Sequence, residues 1–330
     1  MDWILSTIIF IIVLFVYIHV ANHLSTSSDL EVYDVVNIPS DKLEDLCGAK
    51  QPFIAKNNNN PLHGAIHGAL SKVTNFSIRT TGSHVENDIP PLTVGRDKAE
   101  KLFSGNDDSE VKYYSCGNWI ESKEALDAPG LSTERDAFFA PPMTVFSKSD
   151  FFVGQTGAHS ALRHEIAHRT FLYGFNNASS VILVPPDRYT DLNVIKDYEI
   201  LEFRSPKNPW NDDDEVKGSI KINLEPGDTL YIPPYWFYSI KLNEHSKVHL
   251  FQYYTALNLV SSVNHHAIHM LQMNNIKMKY DSQKTINFGT NDEKKDYIDK
   301  KRKKVVFKEE DKTSVKTKNE PNIEPNIENN

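Results

Sequence analysis

The run Trp3–Ala21, WILSTIIFIIVLFVYIHVA, contains no Asp, Glu, Lys or Arg. As a helix at about 1.5 Å per residue it spans roughly 28 Å, close to the hydrocarbon thickness of a bilayer. A helix apolar on every face needs either a membrane or a complete sheath of protein. A cleaved signal peptide is the competing reading, but that would call for a basic leader and small residues before the cut. Here Asp2 precedes the run and His19 stands at the −3 position before Ala21. The expectation is a single uncleaved anchor over residues 1–22, meeting the membrane through residues 3–21, followed by a linker at 23–30. Trp3 and Tyr17 suit the two interfaces. The first basic residue after the run is Lys42, beyond Asp29, Glu31, Asp34 and Asp41, so basic residues do not set an orientation. If the domain faces a lumen, the sequons at Asn75 and Asn177 are glycan acceptors.

The opposite end is polar. Beyond Asp281 the apolar periodicity fades, Lys294–Lys304 is a basic run, and the chain closes on a repeated Asn-Ile-Glu-Pro pattern. Residues 281–330 are expected to be a disordered tail, because such composition buries too little surface to offset the entropy of ordering. The net charge of −8 argues against a nucleic-acid partner. Two cysteines, Cys47 and Cys116, exclude a disulfide-dense scaffold and a four-thiolate zinc site.

Between these ends, short apolar runs alternate with turn signals. Phe53–Lys56, Phe151–Val153, Val181–Val184, Ile220–Leu224 and Thr229–Ile232 read as strands, punctuated by Pro185-Pro186, Glu225-Pro-Gly-Asp228 and Pro233-Pro234. Asn57–Asn60 reads as a loop. Helices are expected at Asp41–Cys47 with Ser40 as N-cap, at Lys98–Phe103, and at 257–277. In the last of these Leu259, Val263, Ala267, Met270 and Leu271 form one apolar stripe suited to packing or to a homodimer contact. Strands at this spacing without βαβ alternation indicate a mainly β fold, a sandwich or jelly roll, over residues 31–280.

Two segments carry a resemblance. Phe152-Val-Gly-Gln-Thr-Gly-Ala-His-Ser-Ala-Leu-Arg-His-Glu165 runs on to Val181-Ile-Leu-Val-Pro-Pro186, and the second is Pro226-Gly-Asp-Thr-Leu-Tyr-Ile-Pro-Pro-Tyr-Trp-Phe-Tyr-Ser-Ile240. Weaker echoes are Val36-Val-Asn-Ile-Pro39, Gln51-Pro-Phe-Ile-Ala55, Tyr113-Tyr114 and Asn118-Trp119. Together they resemble the JmjC/cupin-like domains of iron(II)- and 2-oxoglutarate-dependent oxygenases, the asparaginyl-hydroxylase type in particular. The resemblance implies a double-stranded β-helix with flanking helices. It also implies an iron held by two histidines and a carboxylate on one face.

Carried over position by position, the ligands of that family fall on Arg163, Glu165 and Tyr238. Arginine stays protonated in proteins and puts a cation where the metal belongs. Tyrosine ligates only as a phenolate, against an ordinary pKa of about 10. The lysine that grips 2-oxoglutarate in the family follows the first motif, yet the turn Gly174–Ser180 has no lysine. His159, His164 and His168 are the alternative metal candidates; in a regular strand His164 and His168 point away from Arg163 and Glu165. His265, His266 and His269 read as polar surface.

The expectation is therefore a membrane-anchored, single-pass pseudoenzyme that binds or scaffolds a protein partner, with no metal or cofactor. An Arg163–Glu165 ion pair joined by Tyr238 would take the metal's place. Two alternatives stay open. One is a hydroxylase using Fe(II) and 2-oxoglutarate through unusual ligands; the other is a cupin that binds a small anion at Arg163.

Overall fold

A computed structural model describes residues 2–56, 68–81, 92–105, 111–118, 131–211 and 216–275. The expected Asn57–Asn60 loop, Trp119, the end of the 257–277 helix and the 281–330 tail with its basic run lie outside the described residues.

The chain opens with helix α1 (Asp2–Leu24), which over Trp3–Leu24 is long and apolar enough to cross a bilayer. Strands β1 (Tyr33–Val36) and β2 (Phe53–Lys56) pair in parallel around helix α2 (Ser40–Gly48). The N-cap of α2 is Pro39 rather than Ser40, with no side-chain cap bond. The next elements are β3 (Asn75–Thr80), β4 (Leu92–Gly95), α3 (Arg96–Ser104), β5 (Tyr113–Ser115), α4 (Leu131–Phe139) and β6 (Thr144–Gly154). Then come β7 (Arg163–His164), β8 (Arg169–Gly174), β9 (Ser179–Val184), a 3-10 turn at Pro186–Arg188, β10 (Ile195–Asp197) and β11 (Glu202–Arg204). The chain continues through β12 (Ile220–Leu224), β13 (Thr229–Ile232), β14 (Phe237–Leu242) and β15 (Val248–Thr255) into α5 (Ala256–Ser261) and α6 (Val263–Asn275).

Two sheets face each other. One runs β1-β2-β13-β8-β15-β6-β5-β3-β4 and the other β10-β11-β7-β14-β9-β12. Every strand expected from the sequence lies within one of them. Because side chains alternate along a strand, each sheet sorts its residues by parity. Leu172, Leu230 and Leu250 from the first sheet meet Val181, Leu183, Tyr238 and Ile240 from the second in the barrel interior. The neighbouring Phe171, Tyr231, Phe251 and Tyr253 turn to the opposite face, where Leu43 and Cys47 of α2, Ala99 of α3 and Phe139 of α4 cover them. Ile182, Val184 and Phe237 form a third layer on the outer face of the smaller sheet with Leu162, Leu192 and Val216. This is a jelly roll with helices on one face.

The helix expected at 257–277 is broken at Ser262, which has φ −105° and ψ 15°. Asn258 explains the break: its carbonyl accepts the Ser261 and Ser262 hydroxyls, each at 2.7 Å, besides the Ser262 backbone N–H. Serine hydroxyls that bond back to the preceding turn bend or interrupt helices in this way. The apolar stripe splits at the break: Leu259 packs on the domain beside Ile166 and Tyr254, whereas Val263, Met270 and Leu271 are more than half exposed. The half-buried side of α6 carries His265, His266 and His269 instead, and the imidazoles of His265 and His269 meet the hydroxyl and carbonyl of Tyr198.

Residues 23–30 are held against the domain. His23 is buried and its ring meets the Asn258 amide at 2.8 Å. Lys50 places its ammonium on the carbonyls of Asn22 and Ser25, where a cation complements the helix C-terminus. Trp236 donates its indole N–H to the Ser27 carbonyl at 2.9 Å.

Candidate functional site

Arg163, Glu165 and Tyr238 meet at the junction of β7, β11 and β14. Pairing puts Tyr238 and Arg204 directly opposite Arg163 on the two neighbouring strands, so all three side chains share the interior face. β7 itself is only Arg163–His164, and Glu165 lies just past its end. Arg163 Nε donates to Tyr238 Oη at 3.2 Å, and Tyr238 Oη donates to Glu165 Oε1 at 2.9 Å. The direct Arg163–Glu165 approach is longer, at 3.8 Å.

The nearer carboxylate for Arg163 is one that sequence reasoning missed. Glu202 on β11 accepts from Arg163 Nη1 at 3.3 Å, from Arg79 Nη1 at 2.9 Å and from Arg204 Nη1 at 3.3 Å. Arg204 also approaches Asp197, at 3.6 Å. Cys116 closes the far side, with its sulfur 3.7 Å from Arg163 Nη1. Glu202, Arg163 and Arg79 are 10 %, 8 % and 17 % exposed at the side chain, against 20 % for Glu165 and 26 % for Asp197, so the network reaches solvent through its two outer carboxylates. The alternation of Glu202-Phe203-Arg204 was the available signal. It places Glu202 and Arg204 on one face, but nothing local says that the face belongs to Arg163.

Electrostatics follow from this packing. Burial pushes Glu202 up, but Arg79, Arg163 and Arg204 outweigh it and hold the carboxyl at about 2. Tyr238 is pushed well above the ordinary phenol range by burial, with Glu165 adding and Arg163 opposing, and so it is a neutral phenol. Cys116 is likewise raised by burial against the two arginines beside it, Arg79 and Arg163.

Support comes from a second polar cluster. Asp150 on β6 accepts from the backbone N–H of Gly117 at 2.6 Å and of Asn118 at 3.0 Å. Asn118 in turn accepts from Ser77 N–H and the Ser115 hydroxyl, and it donates to the Phe151 carbonyl. These bonds staple β3, β5 and β6, and thereby fix Arg79 and Cys116.

The candidate histidines are not brought together. His164 points away from Arg163, as strand alternation requires. It stacks on Phe203 at 5.0 Å and meets Phe237 edge-on at 4.8 Å. The Glu165 backbone offers it partial compensation, but neither ring nitrogen makes a hydrogen bond of good geometry among the described residues. Burial lowers its pKa to about 4. His168 stacks against His23 at 5.8 Å, and burial, then Arg169 and Lys50, lower it to about 4. His159 lies toward Trp210, with ring centroids 6.4 Å apart. Asn75 and Asn177 are both exposed, at the start of β3 and in the β8–β9 turn.

The residues to which the resemblance carries the three ligands do not fit an iron(II) ion. A guanidinium has no lone pair to offer, and Tyr238 keeps its proton and spends it on Glu165. Nor does the β8–β9 turn offer a cation for 2-oxoglutarate; its Asn176 and Asn177 amides bond the carbonyls of His245 and Glu244.

Two facing sheets with helices over one of them are the architecture of a cupin-type jelly roll. The cupin-like domain family matches residues 94–260, about half of the chain, and the chain belongs to that family. No curated protein matches the sequence.

Proposed function

We propose that this is a membrane-tethered cupin-like module that binds or scaffolds a protein partner and does not carry out iron-dependent hydroxylation. One observation carries the reading: Arg163, to which the resemblance carries a ligand position, is buried and tied to Tyr238 and Glu202 at 3.2 and 3.3 Å. A buried ion-pair network of this kind satisfies its own charges and cross-links β7, β11 and β14 without a metal. α1 supplies the tether, with its apolar face open on nearly all sides.

The test is an anaerobic titration of the detergent-solubilised full chain with Fe(II) and with Mn(II), read by calorimetry, beside the variant R163H/E165D/Y238H. The parent is expected to show no one-to-one binding in the micromolar range, and the triple variant is expected to acquire it. Micromolar binding by the parent would overturn the reading and direct the search to a hydroxylated substrate. A triple variant that folds but binds neither metal would break the positional carry-over.

A further inference from the structure

We infer that the outward face of α5 and α6 is a second membrane contact, lying in the interfacial layer of the bilayer that α1 crosses. The inference rests on α1 being an anchor and adds how the domain sits on the membrane.

From Ala256 to Asn275 there is no charged residue, in a chain that is 24 % charged. Over residues 263–272 the exposed positions are apolar apart from Asn264: Val263 is 61 % exposed, Met270 63 % and Leu271 62 %, with Ala267 and Ile268 beside them. Its histidines face the protein, so the helix is inside-out relative to an ordinary surface helix, whose polar side faces water. An uncharged helix pair with an apolar outer face suits the headgroup and acyl boundary.

Position supplies the occupant. α1 packs against α5, and the inward side of α1 is Val16, His19, Val20 and His23, spaced as one helical face. α5 therefore lies beside the last two turns of α1. About 20 residues cross the hydrocarbon layer, so a span starting at Trp3 reaches the water boundary near Asn22, at the level of α5. The same rim carries Met143, 65 % exposed, whose carbonyl accepts from the Ala256 N–H at 3.2 Å. The patch starts where α1 leaves the domain, and a bilayer holding α1 reaches it before a second copy of the chain does.

The test uses the full chain in phosphatidylcholine vesicles, with an environment-sensitive fluorophore on single introduced cysteines at L14C, M270C and, on exposed α3, K98C. Native Cys47 and Cys116 are buried and stay in place. Quenchers are a deep and a shallow nitroxide lipid and aqueous iodide. Position 14 is expected to respond to the deep lipid quencher, and position 270 to the shallow one at several-fold the level of position 98. If 14 is quenched by lipid while 270 behaves as 98 does, the inference falls and the anchor stands. Shielding of 270 that depends on protein concentration without lipid quenching overturns it in favour of a second copy. A position 14 untouched by lipid quenchers overturns the anchor and this contact together.

Discussion

Glu202 accepts from three arginines at once, and its carboxyl is held at about 2 against an ordinary 4.5. A depressed carboxyl contributes stability that is present above the unfolded value and lost as pH falls through the folded one. Glu202 thus contributes on the order of 3 kcal/mol above pH ~4.5, lost progressively toward pH ~2. Glu202→Gln should cost about 3–5 kcal/mol at neutral pH, because it strands buried guanidinium charge. It should also flatten the stability profile below pH 4.5, both read from urea denaturation at several pH values. His164 and His168 act in a different window. Each is lowered to about 4 from 6.5, so each contributes stability above 6.5 that is lost as pH falls toward 4. His164→Phe removes one such group from among the rings of Phe203, Phe237 and Tyr235. Stability at pH 7.5 should stay within about 1 kcal/mol of the parent or rise, since an ill-satisfied buried polar ring is lost. The slope between pH 6.5 and 4 should shrink by up to one proton. An unchanged slope would place the His164 ring in solvent.

Among the elements, α5 is the joint of the molecule. Asn258 at its centre meets the His23 ring of α1, donates to the Ile166 carbonyl at 2.8 Å and takes its own backbone N–H to Thr255 Oγ1 at 3.2 Å. Its amide is buried, so Asn258→Ala leaves partners unsatisfied on two other segments and should cost about 1–3 kcal/mol. Hydrogen exchange should quicken in α5 and at the C-terminal end of α1 while β8 and β15 keep their protection. Quickening spread evenly over the domain would mean that Asn258 supports the global fold rather than this joint. The break at Ser262 belongs to the same joint, because the carbonyl of Asn258 takes up both serine hydroxyls.

At the scale of the whole molecule, α1 has one helical face against α5 and an apolar surface elsewhere that no part of the described domain covers. The native chain in cell membranes should stay with the pellet through alkaline carbonate and high salt, and leave only with detergent. Release by carbonate would mean that α1 does not span. Short strands between turn signals, without βαβ alternation, made the jelly roll readable in advance, and the structure adds the parity. Phe171, Leu172 and Tyr173, or Val181, Ile182 and Leu183, take alternate faces, as a period of two demands. The same rule anticipated that Arg163 and His164 would part.

What the sequence by itself determined is local and periodic: an uncharged apolar run long enough for a bilayer, the strands between proline turns, and two motif-like segments that hold Arg163 and Glu165 in one and Tyr238 in the other. The tertiary structure alone decided which carboxylate Arg163 uses. Glu202 is 39 residues away in sequence and enters only because β11 pairs with β7. Arg79 is 123 residues from Glu202 and reaches it through the β3-β5-β6 edge of the other sheet. The helical periodicity of 257–277 identified an apolar stripe but not its direction. That direction depends on where α1, Tyr198 and the rim of the barrel stand, and spacing along one helix carries no information about its neighbours.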